Sequence, residues 1–146
     1  MLNSDDFNFS FSGLKTAVLY LTRDSQEVLQ NKIFISEICH EFQQAAIDVL
    51  VKKTLKAARK FAPRTIMISG GVSANKELRH QLGKMIEEKL PGVFYLMPDK
   101  AYSIDNATMI AAAAYWRYTL APDKKIYKDQ WKNLKTSANL KLHENK

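Results

Sequence analysis

The stretch TIMISGGVSANKELRHQL, residues 65–82, restricts the fold more than any other part of this chain. A short, continuous apolar run with β-branched residues stops at Gly70 and Gly71, and an amphipathic helical pattern follows at once. A strand that passes into a helix through a two-glycine turn belongs to an α/β arrangement, in which helices cover a mostly parallel sheet. TIMIS (65–69) is therefore expected to be a central strand, covered on both faces. Ser73 is the expected cap of the next helix, with Leu78, Leu82, Met85 and Ile86 on its buried stripe.

The rest of the chain repeats this alternation. FNFSF (7–11) alternates apolar and polar residues as a strand would, Ser12 and Gly13 break it, and LKTAVLYLT reads as a helix. From Ile33 to Phe61 the residues Phe34, Ile38, Phe42, Ala45, Ala46, Val49 and Leu50 recur at helical spacing, which predicts one long helix with these on its buried side, ended by Pro63. Pro91 and Gly92 close the next helix, VFYLM (93–97) reads as a strand, and ATMIAAAAYWRY after Asn106 reads as a helix ending near Pro122. Its alanines suit close packing on another element. The expected organisation is one domain over residues 1–121 and a basic tail over 122–146, an arm with Trp131 as its large anchor.

Composition narrows the class. With 46% hydrophobic and 25% charged residues, the chain can build a core of its own. A single cysteine, Cys39, rules out an internal disulfide framework; inside a helical pattern it reads as a small buried apolar residue, and a reducing, cytoplasmic setting is expected. No stretch reaches the roughly 18 to 20 apolar residues of a membrane span, so no membrane partner is expected. The formal charge of +7 would draw in a polyanion such as RNA. Much of that charge falls on helix faces (Lys52, Lys53, Lys56, Arg59, Lys60) and in the tail, where it reads as a solvated surface rather than a dedicated nucleic-acid groove, because no RNA-binding module signature accompanies it.

On pattern alone, the Gly70-Gly71 turn is either a tight connection or a place where a ligand meets the backbone and the helix N–H groups behind it. Asp105-Asn106, likewise, is either a helix cap or a site. Histidines give no third clue, because His40 and His80 fall on different predicted helices and His143 in the tail.

Three stretches in this order, FNFSFSGLKTAV, ISGGVSANKELR and YSIDNATMIAAA, resemble the C-terminal half of the universal tRNA threonylcarbamoyladenosine transferases, once described as glycoproteases or O-sialoglycoprotein endopeptidases. The resemblance runs from Phe7 to about Tyr118, and even MLNSDDFNFSFSGLKT is similar to an internal stretch of that family, so a fragment is expected. It implies the second, C-terminal lobe of the actin-like, sugar-kinase and heat-shock ATPase fold, a ribonuclease-H-like α/β lobe. It also implies an acyl-group transferase that moves a threonylcarbamoyl group from its adenylate to N6 of adenosine 37, in tRNAs reading codons that begin with A. Asn75 matches the family's nucleotide-contacting Asn, with Gly70 and Gly71 giving the backbone room, and Asp105 matches its metal-ligating Asp. The implied cofactors are one divalent metal (Fe or Zn) and ATP, ADP or threonylcarbamoyl-adenylate. The implied partners are tRNA, a paralogous non-catalytic subunit and a small ATPase subunit.

The sequence departs from the family pattern in two places. Ile104 and Ala107 stand where the family carries a polar residue and Gly, and the family's His-x-x-x-His and Ser-Gly-Gly-His segments have no counterpart here. One carboxylate falls short of the roughly three protein ligands of a catalytic metal. The expectation is half of an enzyme, inactive alone, whose exposed lobe face self-associates and retains neither metal nor nucleotide firmly. A non-catalytic module that binds tRNA or a partner is the alternative. A metallopeptidase, the third reading, lacks the His-Glu-x-x-His it would need.

Overall fold

The structure is a computed structural model that describes residues 4–24, 29–128, 132 and 135. It divides into two compact units, Met1–Ile104 and Asp105–Lys146. The first contains α1 (Ser12–Asp24), α2 (Lys32–Phe61), β1 (Thr65–Met67), α3 (Lys76–Lys89) and β2 (Phe94–Leu96); the second contains α4 (Ala107–Leu120).

Each boundary of α2 has a local cause. Asn31 caps its start, accepting from the N–H groups of Ile33 and Phe34, and Ala62 ends it in the left-handed region at φ 45°, immediately before Pro63. The core lies where α2 crosses α3: Ile47, Val51 and Leu55 of α2 meet Leu78, Leu82 and Ile86 of α3. Both sets step by four residues, so each forms a single stripe. This corrects the predicted α2 stripe in part: Val49 is buried and Leu50 packs against the core as expected, but the stripe is centred elsewhere. The buried residues are Ile47, Val49, Val51, Leu55 and Ala58, whereas Phe42, Ala46 and Leu50 line an open cleft. Helical spacing alone does not say which of two adjacent apolar stripes meets a neighbour. A polar rung joins the same helices: Gln44 and Gln81 exchange amide hydrogen bonds of 3.0 and 2.8 Å.

The sheet consists of β1 and β2, parallel, with Ile66 opposite Tyr95 and α3 as the crossover between them. Ile66 and Tyr95 face the α2–α3 core, but Met67 and Phe94 point away from it, 73% and 70% exposed. TIMIS is thus covered on one face and not on two: among the described residues of the first unit, no helix packs on the outer face.

Other expectations also change. Residues 7–11 form no strand. Their alternation faces side chains of α2 instead: Phe7 meets Phe61 at 5.5 Å between ring centroids, while Phe11 lines the cleft. The segment is held by Lys53, only 3% exposed and therefore no part of a solvated face; its ammonium donates to Ser4 Oγ, to Asp6 Oδ1 at 2.7 Å and to the Asn8 carbonyl at 2.6 Å. Cys39 is exposed rather than buried, since it lies on the first turns of α2, ahead of the core stripe.

In the second unit Asn106 caps α4 through Met109 N–H at 3.0 Å, and α4 ends at Leu120, near Pro122 as expected. It buries no residue, although a helix apolar on every side is ordinarily an internal one. A 3-10 turn, Lys124–Tyr127, folds the start of the tail back onto α4, with Tyr127 donating to the Arg117 carbonyl and Lys124 lying over the Tyr118 ring. Trp131 and His143 lie outside the described residues. No helix among the described residues is long and apolar enough to cross a membrane.

Candidate functional site

The Gly70-Gly71 turn leaves the carboxyl end of β1, where α/β sheets present their ligand-binding loops. Gly70 adopts φ +80°, which a residue with a side chain takes only with strain. Gly71 opens a 3-10 turn (Gly71–Ala74), and a Cβ placed on it would meet nothing within 4 Å, so no packing within the chain demands a glycine there. Ser73 is inside this turn and nearly fully buried, its hydroxyl without a partner among the described residues. It is therefore not the cap of α3.

That cap is Asn75. Its Oδ1 accepts from Leu78 N–H at 2.9 Å, and its Nδ2 donates to Gln43 Oε1 of α2 at 2.8 Å. Each amide atom keeps one further lone pair or proton for a ligand. The spacing of three residues from Asn75 to Leu78 was available as a capping signal, but Ser73 offered a competing one two positions earlier.

Asn75 and Gln43 form the polar edge of a cleft of about 530 Å³. Phe11, Phe42, Ala46 and Leu50 supply apolar walls, Val72 comes from the 3-10 turn, and Lys15 of α1 contributes a cation with no carboxylate partner among the described residues. The volume and the mix of apolar lining with a few polar groups suit a small organic ligand carrying negative charge. Lys15 and Gln43 escaped the sequence reading. Both lie in stretches whose helical character was legible, but neither residue type in a helix marks a site until the fold brings it beside Asn75.

Arg79 fastens this loop to its neighbour. Its Nε donates to the Ser73 carbonyl and its Nη2 to Ser103 Oγ at 3.0 Å, so one guanidinium spans the turn after β1 and the turn after β2. Ser103 is 1% exposed and leans on the Asp99 carbonyl. Arg79 also lowers the Tyr95 phenol somewhat, but burial of that ring dominates and pushes it above the ordinary tyrosine value.

Asp105 belongs to the second unit, exposed, immediately before the cap of α4 and beside Asn106, Ala107, Met109 and Ile110 in a shallow cleft. His40 and His80 are exposed on α2 and α3. Among the described residues, no three His, Cys, Asp or Glu side chains come together as a metal site. Asp105 by itself does not make one.

Residues 2–112 match the family described as TsaD: tRNA N6-adenosine threonylcarbamoyltransferase. Curated relatives bearing the name tRNA N6-adenosine threonylcarbamoyltransferase include one from Francisella tularensis subsp. holarctica, 48% identical over 119 residues, which are 81% of this chain and 34% of the relative. Those from Syntrophomonas wolfei and Thermosipho africanus are 44% and 42% identical, over 80% and 81% of this chain and 33% and 34% of theirs. The chain therefore spans about a third of the length of the curated relatives it matches. A match that takes in both glycine and capping motifs, at this identity, means that the chain belongs to the TsaD, tRNA N6-adenosine threonylcarbamoyltransferase, family.

Proposed function

We propose that this chain is the C-terminal, ribonuclease-H-like lobe of an actin-like transferase, and that its cleft holds the adenylate end of the threonylcarbamoyl donor. The observation that carries this reading is the meeting of three things in one cleft: Val72 from the 3-10 turn that Gly71 opens, Asn75 and the uncommitted Lys15. The apolar walls accept a purine, Asn75 and Gln43 offer hydrogen bonds at its edge, and Lys15 offers charge to a phosphate. Open space beside Gly71 lets a ribose approach the backbone.

The whole reaction moves the threonylcarbamoyl group from its adenylate to N6 of adenosine 37 of a tRNA. This chain's share is to hold and orient the donor. The divalent ion, Fe or Zn, would use Asp105 as one ligand; the remaining ligands are not supplied by the described residues, so the lobe alone is expected to carry out little or no transfer. A paralogous subunit and a small ATPase complete the proposed assembly in the cytoplasm. In their absence the exposed outer face of the β pair, with Met67 and Phe94, favours self-association, which light scattering at rising concentration would reveal.

Calorimetric titration with ADP tests the reading. Weak binding is expected, in keeping with a nucleotide not firmly retained, and Lys15→Met should weaken it further by about tenfold or more, as loss of a charged contact should. No binding, or binding indifferent to both Lys15→Met and Asn75→Ala, would overturn it. Threonylcarbamoyl transfer by this chain alone, given donor and tRNA, would refute the expected inactivity.

A further inference from the structure

Between Asp48 and Glu77 the sequence carries no acidic residue but has seven basic ones. The fold arranges these unevenly. Lys53 is turned inward onto Asp6, and Lys56 is partly engaged by Asp5 at 3.4 Å. The two carboxylates that face this end of α2 are thereby taken up, while Lys52, Arg59, Lys60 and Arg64 stay exposed with no ion-pair partner among the described residues. Lys52, Arg59 and Lys60 fall along about 12 Å of one helix, a length that spans neighbouring phosphates of a nucleic acid strand.

Beside this strip lies an aromatic groove. Phe7, Phe9, Ala57, Phe61 and Pro63 line a cleft of about 360 Å³, large enough for a nucleobase. Phe61 is 66% exposed and Phe9 50%, so both present ring surface to water. The Lys60 ammonium lies over both rings of the Phe7 and Phe61 pair, 5.3 and 5.6 Å from their centroids, so charge and stacking surface form one patch. A polyanion alone would need the cations and not the rings; an apolar ligand would need the rings and not the cations. A nucleic acid with an unpaired base uses both.

We propose that the C-terminal half of α2 and the Phe7–Phe9–Phe61 groove form an RNA-contacting surface, with an unstacked base in the groove and flanking phosphates on Lys52, Arg59 and Lys60. The choice of RNA over DNA rests on the reading of the chain as part of a tRNA-modifying enzyme; the surface itself does not.

The test is fluorescence anisotropy of the full chain with a labelled RNA hairpin, a fully paired RNA duplex of equal length, and heparin and polyglutamate as competitors. Arg59→Gln/Lys60→Gln is expected to weaken hairpin binding and to reduce the slope of log affinity against log salt by about one to two, as loss of two phosphate contacts requires. Lys84→Gln/Lys89→Gln, with the same loss of charge on α3, should leave both nearly unchanged. Phe61→Ala should weaken the hairpin by about tenfold, leaving heparin binding as it was. Absence of RNA binding, equal effects of the two double variants, an inert Phe61→Ala, or equal affinity for hairpin and duplex would each overturn the proposal. Displacement of the hairpin by polyglutamate as readily as by unlabelled RNA would assign the face to an acidic protein instead. ADP titration separates the two readings: a parent chain that binds ADP but no RNA defeats this surface and not the donor cleft, whereas variants that lose RNA and keep ADP support the surface independently of the cleft.

Discussion

Arg79 donates through Nη2 to Ser103 Oγ at 3.0 Å while its Nε holds the Ser73 carbonyl, so the turns that follow the two parallel strands share one side chain. Both serines are nearly fully buried, where a hydrogen bond lost is not replaced by water. Ser103→Ala, a change in the second turn, is therefore expected to speed amide exchange in the first, at residues 71–75, by about tenfold, the equivalent of roughly 1.4 kcal/mol. Arg79→Lys should not restore protection, since an ammonium cannot reproduce a planar fork. Exchange altered only near Ser103 would show the two turns to be independent.

Asn75 has separable duties, one to helix α3 and one to the cleft. Asn75→Asp keeps a capping oxygen for Leu78 N–H, and Gln43 can turn its amide to donate to the carboxylate, so stability in urea should stay within about 0.5 kcal/mol of the parent. ADP should bind at least about tenfold more weakly, because a carboxylate cannot donate to the purine edge and adds negative charge to a cleft that must hold a phosphate. Asn75→Ala should cost about 1 kcal/mol of stability as well. If Asn75→Asp bound ADP like the parent, Asn75 would be a cap and nothing more.

Lys53, donating to its carboxylate, and then Ser4 hold the Asp6 carboxyl below its ordinary value of 3.8. A group depressed in this way stabilises the fold above 3.8 and loses that contribution as pH falls through its lowered value. Asp6 itself is half exposed, so solvent screens the pair and the effect is modest. Acidification from neutral pH to below 3.8 should thus loosen residues 4–8, read as faster exchange at the Asn8 N–H that Asp6 accepts. Asp6→Asn should flatten that dependence. An identical acid profile for parent and variant would remove Asp6 from the account.

The alternation of elements was legible because each rests on local signals: Pro63 after α2, the glycines after β1, Pro91 and Gly92 after α3, Asn106 before α4. What was illegible required knowing which neighbour each residue meets. Phe42, Ala46 and Leu50 have the spacing of a core stripe and are a cleft wall; Lys53 has the chemistry of a surface residue and is buried because Ser4, Asp6 and Asn8 come to it from 45 to 49 positions away. The candidate site divides along the same line. Gly70, Gly71, Asn75 and Asp105 carry signals in their own motifs, whereas Lys15, Gln43 and Arg79 acquire meaning only from contacts across helices.

Gly83 poses a last question of sign. In the middle of α3, replacing glycine by alanine ordinarily stabilises by about 1 kcal/mol. Here a Cβ would lie 3.2 and 3.3 Å from two carbons of the Tyr95 ring, closer than ordinary van der Waals contact. The ring has little freedom to yield: Tyr95 sits in β2, packed against the α2–α3 core, its phenol oxygen buried. Overpacking at such a position costs about 1 to 3 kcal/mol, so in the parent Gly83→Ala should be neutral to destabilising by about 2 kcal/mol. With Tyr95→Leu in place the ring edge is gone and the same substitution should stabilise by about 1 kcal/mol. A urea double-mutant cycle reads the difference directly, as a coupling of about 1 to 3 kcal/mol between two residues that meet where α3 lies on the sheet. Zero coupling would mean that the helix shifts to admit the methyl group, and that the contact of α3 with β2 is looser than the packing of Tyr95 implies.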